Sequence, residues 1–218
     1  MSIQQRRERD RAQRHQLIID TARELAEAEG WEAVTTRRLA ERIEYSQPVL
    51  YSHFAGKDAI VAAVAEQGFA ELAARLAAAR AAAGDPPGAF AALAGAYCAF
   101  AYANPARYDA MFTMASELPF GTADSPAALK AAFAELAQVF GRVADAAEAE
   151  AFTEIAWASL HGLVMLTRGG RLRPGLQEQR LHLLVRRLLR ESPPAGCPGG
   201  GGRRRSGAAG LSRPGPPG

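Results

Sequence analysis

The stretch TTRRLAERIEYSQPVLYSHFAGK, residues 35–57, predicts two short helices joined by a tight turn. Helix-forming residues run over 36–43, and Ser46 followed by Pro48 then supplies the start of a second helix. Ser is a favoured N-cap, and a proline in the first helical turn lacks only an N–H that would have no partner within the helix. The apolar residues that can hold the pair together are Leu39, Ile43, Leu50 and Phe54. The pattern predicts a helix-turn-helix at 35–54, in which the second helix is shaped to enter a DNA major groove.

This segment resembles the DNA-binding domain of the TetR (tetracycline repressor) family. The matching elements are Thr35-Thr36-Arg37, Leu39-Ala40, Gln47-Pro48, Leu50-Tyr51, His53-Phe54 and Lys57, and the similarity extends back over 18–31. The resemblance implies a DNA-binding domain over 11–71, preceded by a basic arm over 1–10, and an effector-binding and dimerisation domain over 72–191. In this family a Gly usually occupies the turn position of Glu44, so we expect an altered or strained backbone at Glu44.

Exposed residues at the starts of the two helices are the candidates for reading bases. Arg37 can form a bidentate fork with guanine, and Gln47 can pair with adenine. Pro48 or Val49 can pack against a thymine methyl group. By resemblance, the residues that hold backbone phosphates are Thr36, Tyr51, His53 and Lys57, and Ser46 and Ser52 complete the candidate set. Tyr51 has an alternative role as a packed aromatic, and both roles are compatible because the ring can pack while the hydroxyl reaches out.

The charge distribution indicates that the DNA-binding segment is not basic overall. The 218 residues carry a net charge of +3, but residues 1–58 hold ten basic and ten acidic side chains. Attraction to phosphate must therefore come from where the basic residues are placed. The arginines nearest the N-terminus are Arg6, Arg7, Arg9, Arg11 and Arg14. They can form either an arm that contacts phosphates or a solvated, frayed end, and the sequence leaves both open.

The rest of the chain predicts an all-α fold of about nine helices, because Ala is abundant and no long segment alternates with period two. The predicted helices cover 9–28, 36–43, 47–54, 57–83, 89–103, 106–115, 126–147, 149–168 and 176–190. Ser125 is the predicted N-cap of the seventh helix, and the helix over 57–83 is the only element predicted to link the DNA-binding head to the body. The Pro-, Gly- and Arg-rich tail over 192–218 is expected to be disordered.

Several classes of function lack support in the sequence. The chain has no phosphate-cradling Gly loop, its histidines lack metal-ligand spacing, and no residues form a catalytic constellation. We therefore expect no enzyme activity, no metal and no cofactor. Cys98 lies in an apolar helix and Cys197 in the tail, so a disulfide is not expected. With no signal peptide and no bilayer-length apolar run, the expectation is a cytoplasmic protein that does not bind membranes.

The C-terminal domain contains large residues that can line an effector cavity. They are Tyr97, Phe100, Met111, Met114, Phe133, Phe140, Trp157 and His161. Such residues more often form core than pocket, but the resemblance places a ligand among them. Trp157-Ala-Ser-Leu-His161-Gly162 also resembles the signature of a TetR subgroup with a WHG-type C-terminal domain. His161 can anchor a ligand, or it can be a satisfied core residue beside a Gly162 that allows close helix crossing, and the second interpretation is preferred.

The last two helices carry more apolar residues than one chain can cover. These include Phe152, Ile155, Leu163, Leu166, Leu181, Leu184, Val185 and Leu188. By resemblance, the two helices pair with their copies in a four-helix bundle and form a homodimer.

Together these observations predict a homodimeric transcriptional regulator that binds palindromic double-stranded DNA. The resemblance implies a repressor that a small apolar or amphipathic effector releases. One alternative is a DNA-binding or activating protein without a ligand, which an even core without a cavity would favour. Another is a ligand carrier or enzyme on the same fold, which ligand binding without operator binding would favour.

Overall fold

The computed structural model describes residues 2–114 and 118–190. In these residues the chain forms nine α-helices and no β-strand, which confirms the predicted all-α class. The helices are α1 (Ile3–Glu29), α2 (Thr36–Arg42), α3 (Gln47–Tyr51), α4 (Lys57–Ala82), α5 (Pro86–Ala103), α6 (Pro105–Asp109), α7 (Ala127–Phe140), α8 (Ala149–Arg168) and α9 (Gln177–Arg190). A 3-10 turn lies at Trp31–Ala33 and a π-helical turn at Ala110–Met114. The tail over 192–218, for which disorder was predicted, lies outside the described residues.

Helices α1 to α3 form an N-terminal head around a small apolar core. The residues at its centre are Ile18, Leu25, Leu39 and Leu50, each at most 1% exposed. Thr35 is the N-cap of α2, where its hydroxyl accepts a hydrogen bond from the Arg38 amide at 3.2 Å. Ser46 is the N-cap residue of α3 as predicted, but its side chain makes no capping hydrogen bond. Helix α3 ends at Tyr51, earlier than the predicted residue 54.

Helix α1 begins six residues earlier than the predicted residue 9, at Ile3. Ser2 and Gln5 form a capping box, in which the Ser2 hydroxyl accepts from the Gln5 amide and the Gln5 side chain accepts from the Ser2 amide. This exchange satisfies two amides that a helix start leaves without partners, so the polar run that follows stays helical. Residues 3–10, predicted as an arm, are therefore the first turns of α1.

The turn after α2 is a complete Schellman motif with Glu44 in the left-handed position. Glu44 has φ of 57°, the only positive φ at a non-glycine residue in the described chain. The Glu44 amide donates to the carbonyl of Glu41 at 3.3 Å, and the Tyr45 amide donates to that of Ala40 at 2.9 Å. Glycine is preferred in this position because a side chain there costs steric energy. Of the two alternatives expected at Glu44, the structure has the strained backbone, because the turn keeps the regular geometry with a non-glycine residue at positive φ.

Helix α4 runs from the head into the body over about 39 Å, at 1.5 Å per residue. In the body it packs against α5 and α7, and Phe69, Leu72 and Leu76 are its buried residues there. Phe90 of α5 and Phe140 of α7 add a ring pair with centroids 4.3 Å apart. The body is therefore a helical bundle built around one face of α4.

Three body helices differ from their predicted bounds. Helix α5 starts at Pro86 rather than residue 89, because the Asp85 carboxylate caps the Gly88 amide at 2.6 Å. Helix α6 has only five residues, and the π-helical turn replaces the rest of the helix predicted over 106–115. Ser125 is not the N-cap of α7, since its hydroxyl accepts from the Thr122 amide within the preceding turn.

Helix α7 ends at Phe140 instead of residue 147 because the chain turns there toward α8. A Cβ on Gly141 would lie 2.8 Å from the Ala137 carbonyl oxygen and 3.5 Å from atoms of Ala149 and Thr153. The contact with the Ala137 carbonyl oxygen is too short for a Cβ, so a side chain at Gly141 would require a shift, whereas the distances to Ala149 and Thr153 are ordinary van der Waals contacts. Helices α8 and α9 match their predictions to within one residue. None of the described helices is both long enough and apolar enough to cross a membrane.

Candidate DNA-binding face and effector cavity

The starts of α2 and α3 form one exposed surface, here called the DNA-binding face. Its residues are Thr36, Arg37, Ser46, Gln47, Pro48, Tyr51 and Ser52, all exposed except the half-buried Thr36. The hydroxyls of Thr36 and Tyr51 lie 3.3 Å apart and connect the two helices. The Tyr51 side chain is 51% exposed, so it is not a packed core aromatic. Val49 is half-buried, and its carbonyl accepts from the Ser52 hydroxyl at 2.6 Å.

Arg37 is the most accessible basic group on this face, and it carries an ion pair with Glu41. Its Nε donates to the Glu41 carboxylate at 2.9 Å, while 77% of the Arg37 side chain remains exposed. The hydrogen bond and charge of Glu41 raise the pKa of Arg37, which keeps the guanidinium charged. An exposed pair of this kind contributes little energy, so guanine can replace Glu41 as the partner.

Lys57 and His53 are less accessible to DNA phosphates than the sequence predicts. The Lys57 ammonium donates to the Trp31 carbonyl at 2.6 Å in a partly buried position at the start of α4. His53 is half-buried with its ring centroid 6.1 Å from that of His15, and burial lowers its pKa. His53 Nδ1 has no hydrogen-bond partner among the described residues. A contact of either residue with phosphate stays a prediction.

A cavity of about 570 Å³ opens between α4, α5, α7, α8 and the segment before α7, and we call it the effector cavity. Its aromatic wall consists of Phe69, Tyr97, Phe112, Phe120, Phe133 and Trp157. Its charged lining residues are Lys130, Glu150 and Glu154. A volume of this size is in the range of small-molecule sites.

The eight residues predicted for effector binding separate into wall and core. Tyr97, Phe133 and Trp157 line the cavity. Phe100, Met111 and Phe140 are fully buried and do not line it, and neither do the half-buried Met114 and His161. The aromatic and charged lining residues that were not predicted are Phe69, Phe112, Phe120, Lys130, Glu150 and Glu154. One available signal was the helical spacing of Glu150 and Glu154 with Trp157, which places all three on one face of α8.

Two family profiles match this sequence. Residues 18–64 match bacterial regulatory proteins of the tetR family, and residues 90–191 match the tetracyclin repressor-like C-terminal domain. The chain belongs to the TetR family. Tetracycline repressor protein class C of Escherichia coli is 53% identical over 49 residues, which make up 22% of each chain. The match therefore spans about a fifth of the length of this curated relative.

Solved structures support the TetR fold over most of the chain. A protein of unknown function from Rhodococcus sp. RHA1 has a TM-score of 0.69 and 26% identity, with 81% of this chain and 93% of that chain covered. The TetR family transcriptional regulator PfmR from Thermus thermophilus has a TM-score of 0.57 and 20% identity, with coverage of 79% and 97%. At 20% identity, the similarity to PfmR supports the fold alone.

A chain of hydrogen bonds leads from the cavity wall of this TetR-family protein into its core. Trp157 Nε1 donates to the Tyr97 hydroxyl at 3.0 Å, which lies 2.7 Å from the Tyr108 hydroxyl. The Tyr108 hydroxyl lies 2.6 Å from Nδ1 of His161. Burial raises the pKa of both tyrosines and lowers the pKa of His161, so each group is neutral near pH 7. His161 is thus half-buried with its Nδ1 hydrogen-bonded, and its role in effector binding stays a prediction.

Gly162 does not create a close helix crossing within the described residues. No atom lies within 4 Å of the place where its Cβ would be. On α8, Ile155 and Leu166 lie on the same face as Gly162 and are 58% and 47% exposed. The open side of α8 in this TetR-family chain therefore has small and apolar residues without a partner in the described fold.

Helix α6 forms a second link between head and body, which corrects the prediction that α4 is the only one. The Glu27 carboxylate of α1 accepts from the amides of Ala106 and Arg107 at 3.0 and 3.1 Å. Trp31 Nε1 donates to the Ala106 carbonyl at 2.7 Å. Arg168, at the end of α8, donates to the Pro105 carbonyl at 3.1 Å and to Asp109 at 2.8 Å. We call this set of contacts the α6 joint.

Proposed function

We propose that this TetR-family chain is a sequence-specific transcriptional repressor that a small molecule releases from its operator. The observation that carries the proposal is the DNA-binding face, which presents Arg37 and Gln47 at the starts of two helices joined by a short turn. Both side chains can pair with base edges in the major groove. The same chain holds a cavity large enough for a small molecule. The cavity favours a ligand-controlled regulator over a ligand-independent one.

We further propose that the operator-binding form is a homodimer joined through α8 and α9. The surface that the second copy would cover contains Ile155, Ser159, Gly162 and Leu166 of α8 and the 43% exposed Leu183 of α9. Gly162 gives the partner helix room for close approach, and the apolar residues on both sides supply burial. Two heads held in this way would read half-sites about 34–36 Å apart, or a multiple of this distance.

The ligand can act on DNA through the α6 joint. Tyr108 of α6 bonds to the Tyr97 hydroxyl, which also accepts from Trp157 on the cavity wall. The start of α6 is held by Glu27 and Trp31 of the head. A ligand that moves Trp157 would therefore bias the position of α6 against the head, in parallel with α4. Such a ligand must bind the DNA-free arrangement more tightly than the DNA-competent one.

The test is the selection of bound fragments from genomic DNA of the protein's source, with and without cell extract. We expect enrichment of palindromic fragments by the wild type and loss of that enrichment with Arg37→Ala. Addition of extract should release the selected fragments. Enrichment of no sequence would reject operator recognition, and unchanged binding in extract would reject release by a ligand. A protein that binds ligands but no operator would be a carrier or an enzyme.

A further inference from the structure

We propose that the effector is an organic cation with at least one aromatic ring. This inference rests on the proposed function, because it assigns a ligand class to the effector cavity. The first observation is the wall itself, where six aromatic side chains surround about 570 Å³. Aromatic faces carry negative partial charge and attract cations, including quaternary ones without hydrogen-bond donors.

The second observation concerns the charged groups of the cavity. Glu150 and Glu154 lie four residues apart on α8, so both side chains lie on the same helix face as Trp157. Neither carboxylate has an ion pair or hydrogen bond among the described residues. Glu135 on α7 provides a contrast, since its carboxylate is paired with Arg80 at 2.7 Å. The cavity lining therefore holds two carboxylates without a direct partner against the one ammonium of Lys130, which leaves an excess of negative charge.

The third observation is that the indole and phenol donors on the cavity wall already have acceptors. Trp157 Nε1 donates to Tyr97, and the Tyr97 hydroxyl bonds to Tyr108. The Lys130 ammonium donates one of its three N–H groups to the Ala123 carbonyl. A carboxylate ligand could reach the other two, but it would also meet Glu150 and Glu154, which line the same cavity. A cation needs only the rings and the two free carboxylates.

The wider charge distribution agrees with this assignment. Residues 59–170, which supply the cavity, carry eleven acidic and six basic side chains. An excess of one sign near a cleft raises the local concentration of oppositely charged ligands. Glu150 also lies in the first turn of α8, where a carboxylate stabilises the helix end. Glu154 lies one turn further on and has no such role. Its position beside Trp157 is therefore stronger support for a cationic ligand than that of Glu150.

The test uses tetraphenylphosphonium and tetraphenylborate, two probes of nearly equal size and shape with opposite charge. A second pair, benzyltrimethylammonium and its neutral isostere neopentylbenzene, tests whether the cavity prefers ligands smaller than the tetraphenyl ions. Binding is measured by isothermal titration calorimetry on the full-length wild type and on the Glu150→Gln/Glu154→Gln double variant. Glu148→Gln is the matched control, because Glu148 precedes the same helix and does not line the cavity.

We expect at least one cation of the two pairs to bind the wild type and to bind at least about tenfold more tightly than its partner probe. The double variant should lose about tenfold or more of that affinity, whereas Glu148→Gln should keep it. Equal binding of a cation to wild type and double variant, preference for the borate or neutral probe, or binding of neither cation would overturn the assignment.

A separate measurement distinguishes failure of this inference from failure of the proposed function. The cell extract that releases the protein from its operator is passed over a cation-exchange resin. We expect the releasing activity to be retained and eluted by salt. Release by the flow-through alone would leave a ligand-controlled repressor but reject a cationic effector. Absence of operator binding or release by any fraction would reject the repressor itself.

Discussion

The DNA-binding face and the effector cavity differ in how far apart their residues lie in the sequence and in how exposed those residues are. The face draws its residues from a segment of about twenty positions, and most of them point into solvent. The cavity draws its wall from residues between Phe69 and Trp157, on four α-helices, the π-helical turn and the segment before α7. In the face, the large side chains of Arg37 and Tyr51 are exposed, so core packing does not account for them and a binding function can be inferred. In the cavity, aromatic residues with a binding role have the same chemistry as those of the core.

The largest expected effect comes from separating the two copies of the proposed homodimer. Ile155→Asp together with Leu166→Asp should give monomers, because two charges would have to be buried in the proposed α8–α9 interface. Loss of the second head removes the gain from bivalent binding, so operator affinity should fall more than about a hundredfold. Light scattering and DNA titration measure the two effects. The control, Ile155→Leu with Leu166→Ile, keeps the apolar surface and should remain dimeric. A charged variant that stays dimeric would place the interface elsewhere.

The second prediction concerns the face alone. Arg37→Ala should cost about 1–3 kcal/mol on the selected operator and relax the preference at one base position. Arg38 is the matched control on the next residue, because Glu29 holds its guanidinium at 3.0 Å. Arg38→Ala should destabilise the head without changing base preference. Binding to a panel of operators with single-base changes measures both variants. Equal weakening of Arg37→Ala on every operator would remove Arg37 from the residues that read bases.

The third prediction tests how the two regions communicate. The Glu27 carboxylate accepts hydrogen bonds from two amides of α6, one on each oxygen. Glu27→Gln keeps only one acceptor oxygen and so can accept only one of these bonds in the same geometry. The coupling between ligand and operator, typically about 1–3 kcal/mol, should therefore fall toward zero. Trp31→Phe should have the same direction of effect, since it removes the hydrogen bond to Ala106. Glu24→Gln, one turn earlier on an exposed part of α1, should leave the coupling unchanged.

Coupling in these variants is read from operator affinity with and without a saturating cavity ligand, using labelled DNA. By reciprocity the ligand affinity must change by the same factor when operator is added. Full coupling in Glu27→Gln and Trp31→Phe would show that α4 alone carries the signal.

The sequence could predict the elements whose determinants are local. The helix-turn-helix, the proline-started α3 and the bounds of α8 depend on neighbouring residues, and the structure has them. The end of α7 at Phe140 could not be found this way, because helix-favouring alanines continue past it to Ala147 and an isolated Gly within a helical pattern is tolerated. The α6 joint could not be predicted from the sequence either, since Glu27 and Ala106 are separated by 79 positions. Core and cavity wall differ only in tertiary packing, so Phe100 and Phe133 could not be told apart.

The smallest expected effect concerns Glu44, where the head departs from the glycine that the family resemblance implies. A side chain in the left-handed region costs about 1 kcal/mol, and glycine avoids this cost. Glycine also gains freedom in the unfolded chain, so Glu44→Gly should raise the free energy of unfolding of the head by somewhat less than about 1 kcal/mol. Glu44→Ala removes the same carboxylate but keeps the strain, so its stability should stay near that of the wild type.

Urea unfolding followed by Trp31 fluorescence in a Trp157→Phe background reports on the head in all three proteins. Both substitutions remove a negative charge near the DNA-binding face, so both should tighten operator binding and by similar amounts. The pair therefore separates the backbone effect, seen only with Gly, from the charge effect, seen with both. Equal stability of the Gly and Ala variants would mean that the two hydrogen bonds of the Schellman turn hold Glu44 without measurable strain.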